Sequence, residues 1–183
     1  MGIGASFQYM SPTGEFRQNV GDAPRQHRGA FGVNLIGPLT HPGWLSMRFE
    51  YMFGSYDKSC YTCRRGFNSV SVGPEIWFPY GPVRPYAMGA GGHFHFEGFK
   101  DASGGDPDTG AGQWIYGGGV RIPLKSDSGY SLDLGVRRHQ VGKVSYLRKA
   151  GIQTNADGSV SVDSARGSVS FVLYTIGFQY QFK

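Results

Sequence analysis

The sequence predicts an all-β chain, an eight-stranded antiparallel up-and-down transmembrane β-barrel. Three observations carry this. Polar and apolar residues alternate along nearly the whole chain, the period of a strand, while helical periodicity is nearly absent. The alternating runs number eight, and the connections between them alternate short and long, as in a meander closed on itself. The apolar face is too rich in aromatics to fill so narrow a barrel, whose interior holds few large side chains. It suits lipid outside, with the small and polar face inside.

Each run supports this reading in turn. "GIGASFQY" sets Ile3, Ala5, Phe7 and Tyr9 against Gly4, Ser6 and Gln8, and "AFGVNL" sets Phe31, Val33 and Leu35 against Gly32 and Asn34. "WLSMRFEYMF" sets Leu45, Met47, Phe49, Tyr51 and Phe53 against Ser46, Arg48 and Glu50. "VSVGPEIWF" sets Val70, Val72, Ile76 and Phe78 against Ser71, Gly73 and Glu75. Pro74 falls inside this run and removes a ladder donor, which predicts a bulge or local break. "YAMGAGGHFHFEG" sets Tyr86, Met88, Ala90, Phe94 and Phe96 against Ala87, Gly89, Gly91, His93, His95 and Glu97. "WIYGGGVRI" sets Trp114, Tyr116, Val120 and Ile122 against Gly117, Gly119 and Arg121. "YSLDLGVRRH" sets Tyr130, Leu132, Leu134 and Val136 against Ser131, Asp133, Gly135, Arg137 and His139. "VLYTIGFQYQF" closes the series, with Val172, Tyr174, Ile176, Phe178, Tyr180 and Phe182 against Thr175, Gly177, Gln179 and Gln181.

Residues 37–43, 79–85 and 124–129 form the short connections; 11–28, 54–66, 100–112 and 149–166 form the long ones. "NADG" at Asn155–Gly158 reads as a hairpin turn, so the last two strands are expected to continue past the membrane as a protruding arm. Aromatics near strand ends mark two interface girdles. Trp44, Phe78, Tyr80, Tyr86, Tyr130, Tyr180 and Phe182 lie beside the short turns, and Tyr9, Tyr51, Phe53, Phe96 and Trp114 near the long ones.

Composition agrees. The 183 residues suffice for one domain, read as spanning 1–183, and 30 of them are glycine. With 13 Phe and 11 Tyr the chain is too aromatic for disorder. No apolar run reaches the roughly 20 residues of a membrane helix. The opening "MGIGASFQYM" has neither the charged nor the apolar region of a signal peptide. The net charge of +5 is dispersed, which argues against nucleic acid as a partner.

With its eight dyad-repeat strands, its alternating connections and the terminal strand "YTIGFQYQFK", the chain resembles the small eight-stranded outer-membrane barrels of Gram-negative bacteria, of the OmpA transmembrane-domain and OmpX kind. The likeness covers essentially the whole chain. It implies an integral outer-membrane location with both termini periplasmic and the long loops outside. It implies a last strand read by the barrel-assembly machinery through its terminal aromatic, here Phe182 followed by Lys183, which is a small departure. A structural or adhesive surface role follows, with no cofactor. The enzymes among such barrels modify lipid A. The His-x-Ser pattern of the deacylases is missing, because His139 is followed by Gln140 and Val141. A lipid A-modifying enzyme and a narrow pore are the alternatives.

The candidate site residues follow from the inward face. Arg48, Glu50, Glu75, His93, His95, Glu97, Arg121, Asp133, Arg137 and His139 are expected to form a buried polar network that fills the lumen, since buried charges persist only when paired. Glu97 is expected to find an inner arginine, Arg137 above Arg121 or Arg48. A metal site at His93, His95 and Glu97 has suitable ligand types, but strand spacing alone supports it weakly. Cys60 and Cys63, the only cysteines, leave a redox pair or a local disulfide open; a disulfide is the default for an exported chain. Arg138 on the outer face, with Arg64 and Arg65 in a long loop, could meet lipopolysaccharide phosphates.

Overall fold

The structure, a computed structural model, describes residues 1–20, 29–40, 44–57, 65–78, 81–97, 109–124 and 129–182. Eight strands run in chain order: β1 (Gly2–Thr13), β2 (Gly29–Pro38), β3 (Leu45–Asp57), β4 (Arg65–Trp77), β5 (Arg84–Phe96), β6 (Gly110–Pro123), β7 (Tyr130–Thr154) and β8 (Val160–Gln181). Each pairs with its neighbours, and β1 pairs antiparallel with β8, so the barrel is closed and leaves no free edge. Closure pairs the strand backbones within the sheet, the condition for crossing hydrocarbon.

Alternation sets the two surfaces. Phe7, Val33, Leu35, Met47, Phe49, Tyr51, Val70, Val72, Ile76, Trp114, Tyr116, Val136, Tyr174, Ile176 and Phe178 are all exposed on the outside. Phe7 at 70% and Trp114 at 72% exposure are poorly placed for water but suit a lipid-facing band.

The structure corrects the sequence reading in two places. The first is the facing of β5. Its register with β4 aligns Tyr86 with Trp77, Phe94 with Ser69 and Phe96 with Phe67. Directly paired residues share a side, so Tyr86, Met88, Ala90, Phe94 and Phe96 turn inward and are buried. Ala87, His93 and Glu97 are exposed on the outside and His95 is half-buried there. Neither Tyr86 nor Phe96 therefore belongs to an interface girdle.

Glycines explain why the larger face wins. A Cβ on Gly119 or Gly135 would lie 2.8 or 2.7 Å from the Tyr86 Oη, so only glycines there leave room for the phenol. It occupies that space and donates to Asp133 Oδ1 at 2.8 Å.

The second correction lies within 11–28, which reads as a loop. There β1 continues to Thr13, and Gly14–Val20 forms a short helix, α1. Gly14 begins it at φ 58°, a backbone conformation that glycine adopts without strain. Phe16 and Val20, one turn apart, share the helix face that is buried.

Pro74 brings the local break that its missing ladder donor predicts. It stays aligned with Met47 of β3. The ladder to β5 stops at Val72–Gly91 and resumes at Glu75–Met88 in the same register, a local break without a bulge. Bulges occur instead in β3 between Ser55 and Asp57 and in β7 after Val141 and Leu147.

β7 and β8, 25 and 22 residues long, far exceed the roughly 9–11 needed to cross a bilayer. They stay paired from Lys143–Ser168 out to Thr154–Val160 and turn at Asn155–Ser159, where Asn155 N and Ser159 O are 2.8 Å apart and Gly158 has φ 81°.

Candidate functional site: a lumen sealed in two layers

The lower layer, nearer the short turns, is ionic. Period-two alternation on β3, β4, β6 and β7 aims Arg48, Glu50, Glu75, Arg121, Asp133 and Arg137 at one another, and all six are buried. Arg48 Nε donates to Glu50 Oε2 at 2.9 Å and its Nη1 to Glu75 Oε2 at 3.1 Å, with Asp133 Oδ2 at 3.6 Å. Arg121 Nη2 donates to the other Glu75 oxygen at 2.5 Å. Arg137 Nη1 donates to both Glu50 oxygens at 2.5 and 2.6 Å. Gln8 Nε2 adds a bond of 3.2 Å to Glu50. Glu50 and Glu75 thus each serve more than one donor and the charges of the six balance, which is what makes ionic groups tolerable away from water.

His139 sits at the boundary. Its Nδ1 is 3.2 Å from Gln113 Oε1, and its ring stacks on Phe171 with centroids 4.7 Å apart. Gln113 Nε2 in turn donates to Ser69 Oγ at 2.5 Å.

The upper layer is apolar. Met10, Met52, Phe67, Phe94, Phe96, Val141, Val169, Phe171 and Leu173 form one buried cluster. Phe94 stacks on Phe67 at 5.2 Å and meets Phe96 edge-on at 5.0 Å. Helix α1 caps this chamber: Phe16 packs on Phe96 at 5.9 Å and edge-on against Tyr146 at 5.1 Å. Asn19 Nδ2 donates to the Tyr146 Oη at 2.8 Å and pins the cap to β7.

The structure thus gathers seven of the ten expected network residues and excludes three. His93, His95 and Glu97 lie outside the lumen, so Glu97 meets none of Arg48, Arg121 and Arg137, whose carboxylates are Glu50, Glu75 and Asp133. Among the described residues no group of three or more His, Cys, Asp and Glu side chains is arranged for a metal ion. Arg138 is exposed on the outer face of β7. Cys60, Cys63 and Arg64 lie outside the described residues, as does the side chain of Arg65. The sequence reading missed Gln8, Tyr86 and Gln113 as members of the network. Tyr86 was hidden by its own hydrophobicity; its polar tip was the available signal, because a buried phenol needs a partner.

A closed eight-stranded barrel with a band of large apolar side chains outside and a lumen filled by an ionic and an aromatic layer decides the fold. The chain has the fold of the small outer-membrane β-barrels. No family model matches it, and no curated protein matches its sequence. Solved structures of this barrel type do match. Neisserial surface protein A, NspA, aligns with a TM-score of 0.65 at 13% identity, covering 99% of this chain and 96% of that one. Ail, the attachment invasion locus protein of Yersinia pestis, solved with the heparin analogue sucrose octasulfate, aligns with a TM-score of 0.53 at 12% identity, covering 99% and 96%. At these identities the shared property is the fold, and this barrel has it with a β7–β8 arm that rises past the membrane span.

Proposed function

We propose that this barrel is a surface protein with a structural or adhesive role, which neither conducts nor catalyses. The sealed lumen is the observation that carries this reading. A solute entering from the long-loop side meets Phe16 and the aromatic chamber, and one from the short-turn side meets the Arg–Glu lattice. Catalysis has no support in the described histidines. His139 is buried against Phe171. His93 and His95 sit on the outer face of β5, and neither belongs to a cluster of acidic or ligating side chains among the described residues. In this reading the termini and short turns are periplasmic, and the arm projects outward. Phe182 N donates to the carbonyl of Met1 at 2.8 Å, which ties the last strand to the first at the end offered to the assembly machinery. Arg138 outside and Arg148 on the arm suit phosphates of lipopolysaccharide or acidic glycans, and the net charge of +5 agrees.

Refolding in detergent, followed by a gel comparing boiled and unboiled samples, establishes the folded barrel. Replacing residues 148–163 by a short turn is then expected to abolish attachment of expressing cells to anionic glycan surfaces while the barrel still folds. Discrete conductance steps in a planar bilayer, or a changed acyl pattern of lipid A in an expressing host, would overturn the reading.

A further inference from the structure

The ionic lattice does not account for all of the inward-facing cations. Among the described residues, three buried arginines, Arg48, Arg121 and Arg137, meet three buried carboxylates, Glu50, Glu75 and Asp133. A further arginine, Arg84, enters the lumen below them. It sits directly opposite Arg121 in the β5–β6 register, where like charges repel. Both guanidiniums converge on one indole: the Arg84 Cζ lies 5.9 Å and the Arg121 Cζ 5.8 Å from the Trp77 ring centre. Trp77 is itself fixed, since its Nε1 donates to Ser46 Oγ at 3.3 Å. Among the described residues, the Nε–H groups of Arg84 and Arg121 are buried without a hydrogen-bond acceptor, a costly condition for charged donors. Arg121, at 6% exposure, already uses Nη2 on Glu75, so its Nε is a donor left over. Above them the lattice closes the lumen. Below them lies a cavity of about 480 Å³ that reaches the short-turn mouth, with Ser46, Ser131, Gln179 and Gln181 in its wall.

We propose that this vestibule is an oxyanion-binding site in which Arg84 and Arg121, held on Trp77, take a phosphate or carboxylate group that enters from the short-turn side. An oxyanion with several acceptor oxygens satisfies two orphan donors at once and neutralises the like-charged pair. Guanidinium groups suit such anions because their donors are planar and fixed. The sequence concealed the site: Arg84 stands in the turn-like stretch "PYGPVRP", and only the inward facing of β5 brings it against Trp77. The anion's source is either a free ion or a lipid headgroup at the mouth.

The test uses the full-length barrel refolded in zwitterionic detergent. Its urea midpoint is measured in sodium phosphate against sodium chloride at equal ionic strength, and again with short-chain phosphatidylglycerol doped into the micelles. Wild type is expected to show a saturable rise in midpoint, and Arg84→Gln none. Arg84→Lys keeps the charge but loses the fork, and is expected to bind phosphate about tenfold more weakly, the loss of one hydrogen bond to a charged group. A rise with phosphate assigns a free ion; a rise with the doped lipid alone assigns a headgroup. Should Arg84→Gln not fold, calorimetric titration of wild type and Arg84→Lys with phosphate and with the doped lipid replaces it: saturable heats weakened by the lysine support the site, and their absence overturns it. No saturable response in wild type overturns the proposal. So does an equal response in Arg84→Gln, or an Arg84→Gln variant destabilised by the same amount in chloride and phosphate, which points to a carboxylate of the chain already seated there.

Discussion

The two layers of the lumen close one barrel by opposite means. The lower layer uses few groups with strict partners: one carboxylate, Glu50, bonds both Arg48 and Arg137. The upper layer uses many rings with interchangeable partners: Phe94 touches Phe67, Phe96 and Phe171. Losing a member of the first leaves a charge without a counter-charge. Losing a member of the second leaves a hole. The ionic layer should therefore fail abruptly, and the aromatic layer by degrees.

The sharpest break is Glu50→Ala. It strands Arg137 and half-strands Arg48, and is expected to destabilise the barrel by about 5 kcal/mol, the upper end for breaking a buried pair. Urea unfolding followed by gel mobility measures it; a loss below that of Phe94→Ala would defeat the contrast. Phe94→Ala is expected to cost about 3–4 kcal/mol, within the range for emptying an aromatic core site. Phe94→Leu should recover most of this, because the chamber asks for volume and not for a particular partner. Equal losses from both would show that ring stacking, rather than volume, holds the upper layer.

Phe16→Ala separates the layers. It should loosen α1, seen as faster amide exchange over 14–20, without producing conductance, since the lattice beneath is intact. Current through this variant would mean that the cap, not the ionic layer, closes the barrel.

His93→Ala together with His95→Ala tests the facing of β5. Both side chains lie outside, so the change in stability should stay within about 0.5 kcal/mol, as for surface substitutions. A large loss would return them to the lumen. The smallest effect belongs to the tip of the arm. Asp157 accepts from the backbone N and hydroxyl of Ser159 at 2.9 and 2.6 Å, which holds its carboxyl below the ordinary carboxylate value. A lowered carboxyl contributes order above its normal titration range and loses it as pH falls through the depressed value. Amide exchange across 155–159 should therefore quicken in acid while the barrel amides stay protected; no change at the tip would refute the role given to Asp157.

Much of this was legible in the residues. In β3, Leu45, Met47, Phe49 and Tyr51 are apolar and Ser46, Arg48 and Glu50 polar, so one face can only be the lipid face. The same holds for β1, β2, β4 and β8. The core of the ionic lattice could be drawn from β3 and β4 with β6 and β7. The arm too was readable, because "NADG" supplies turn chemistry between two segments too long for the bilayer. The cap was harder, since the buried face of α1 is two residues, Phe16 and Val20, in seven.

Strand count, the closed meander, the lipid-facing band and the charged residues that cross-link the lumen were all written into the chain, because a period of two leaves one set of faces for hydrocarbon. The side of β5 was not, and had to await the closed barrel. Its two faces are one bulky and one of Gly, Ala and His, and a one-residue slip exchanges them completely. Along the strand alone the bulky face reads as the lipid face, which is the wrong side. The choice lies in its neighbours: glycines of β6 and β7 that leave space for Tyr86, Asp133 that accepts its hydroxyl, and Phe67 and Phe171 that receive Phe94. Those residues are far apart in the chain and meet only when the barrel closes, and their meeting places the aromatic chamber above, Arg84 against Arg121 below, and His93, His95 and Glu97 outside.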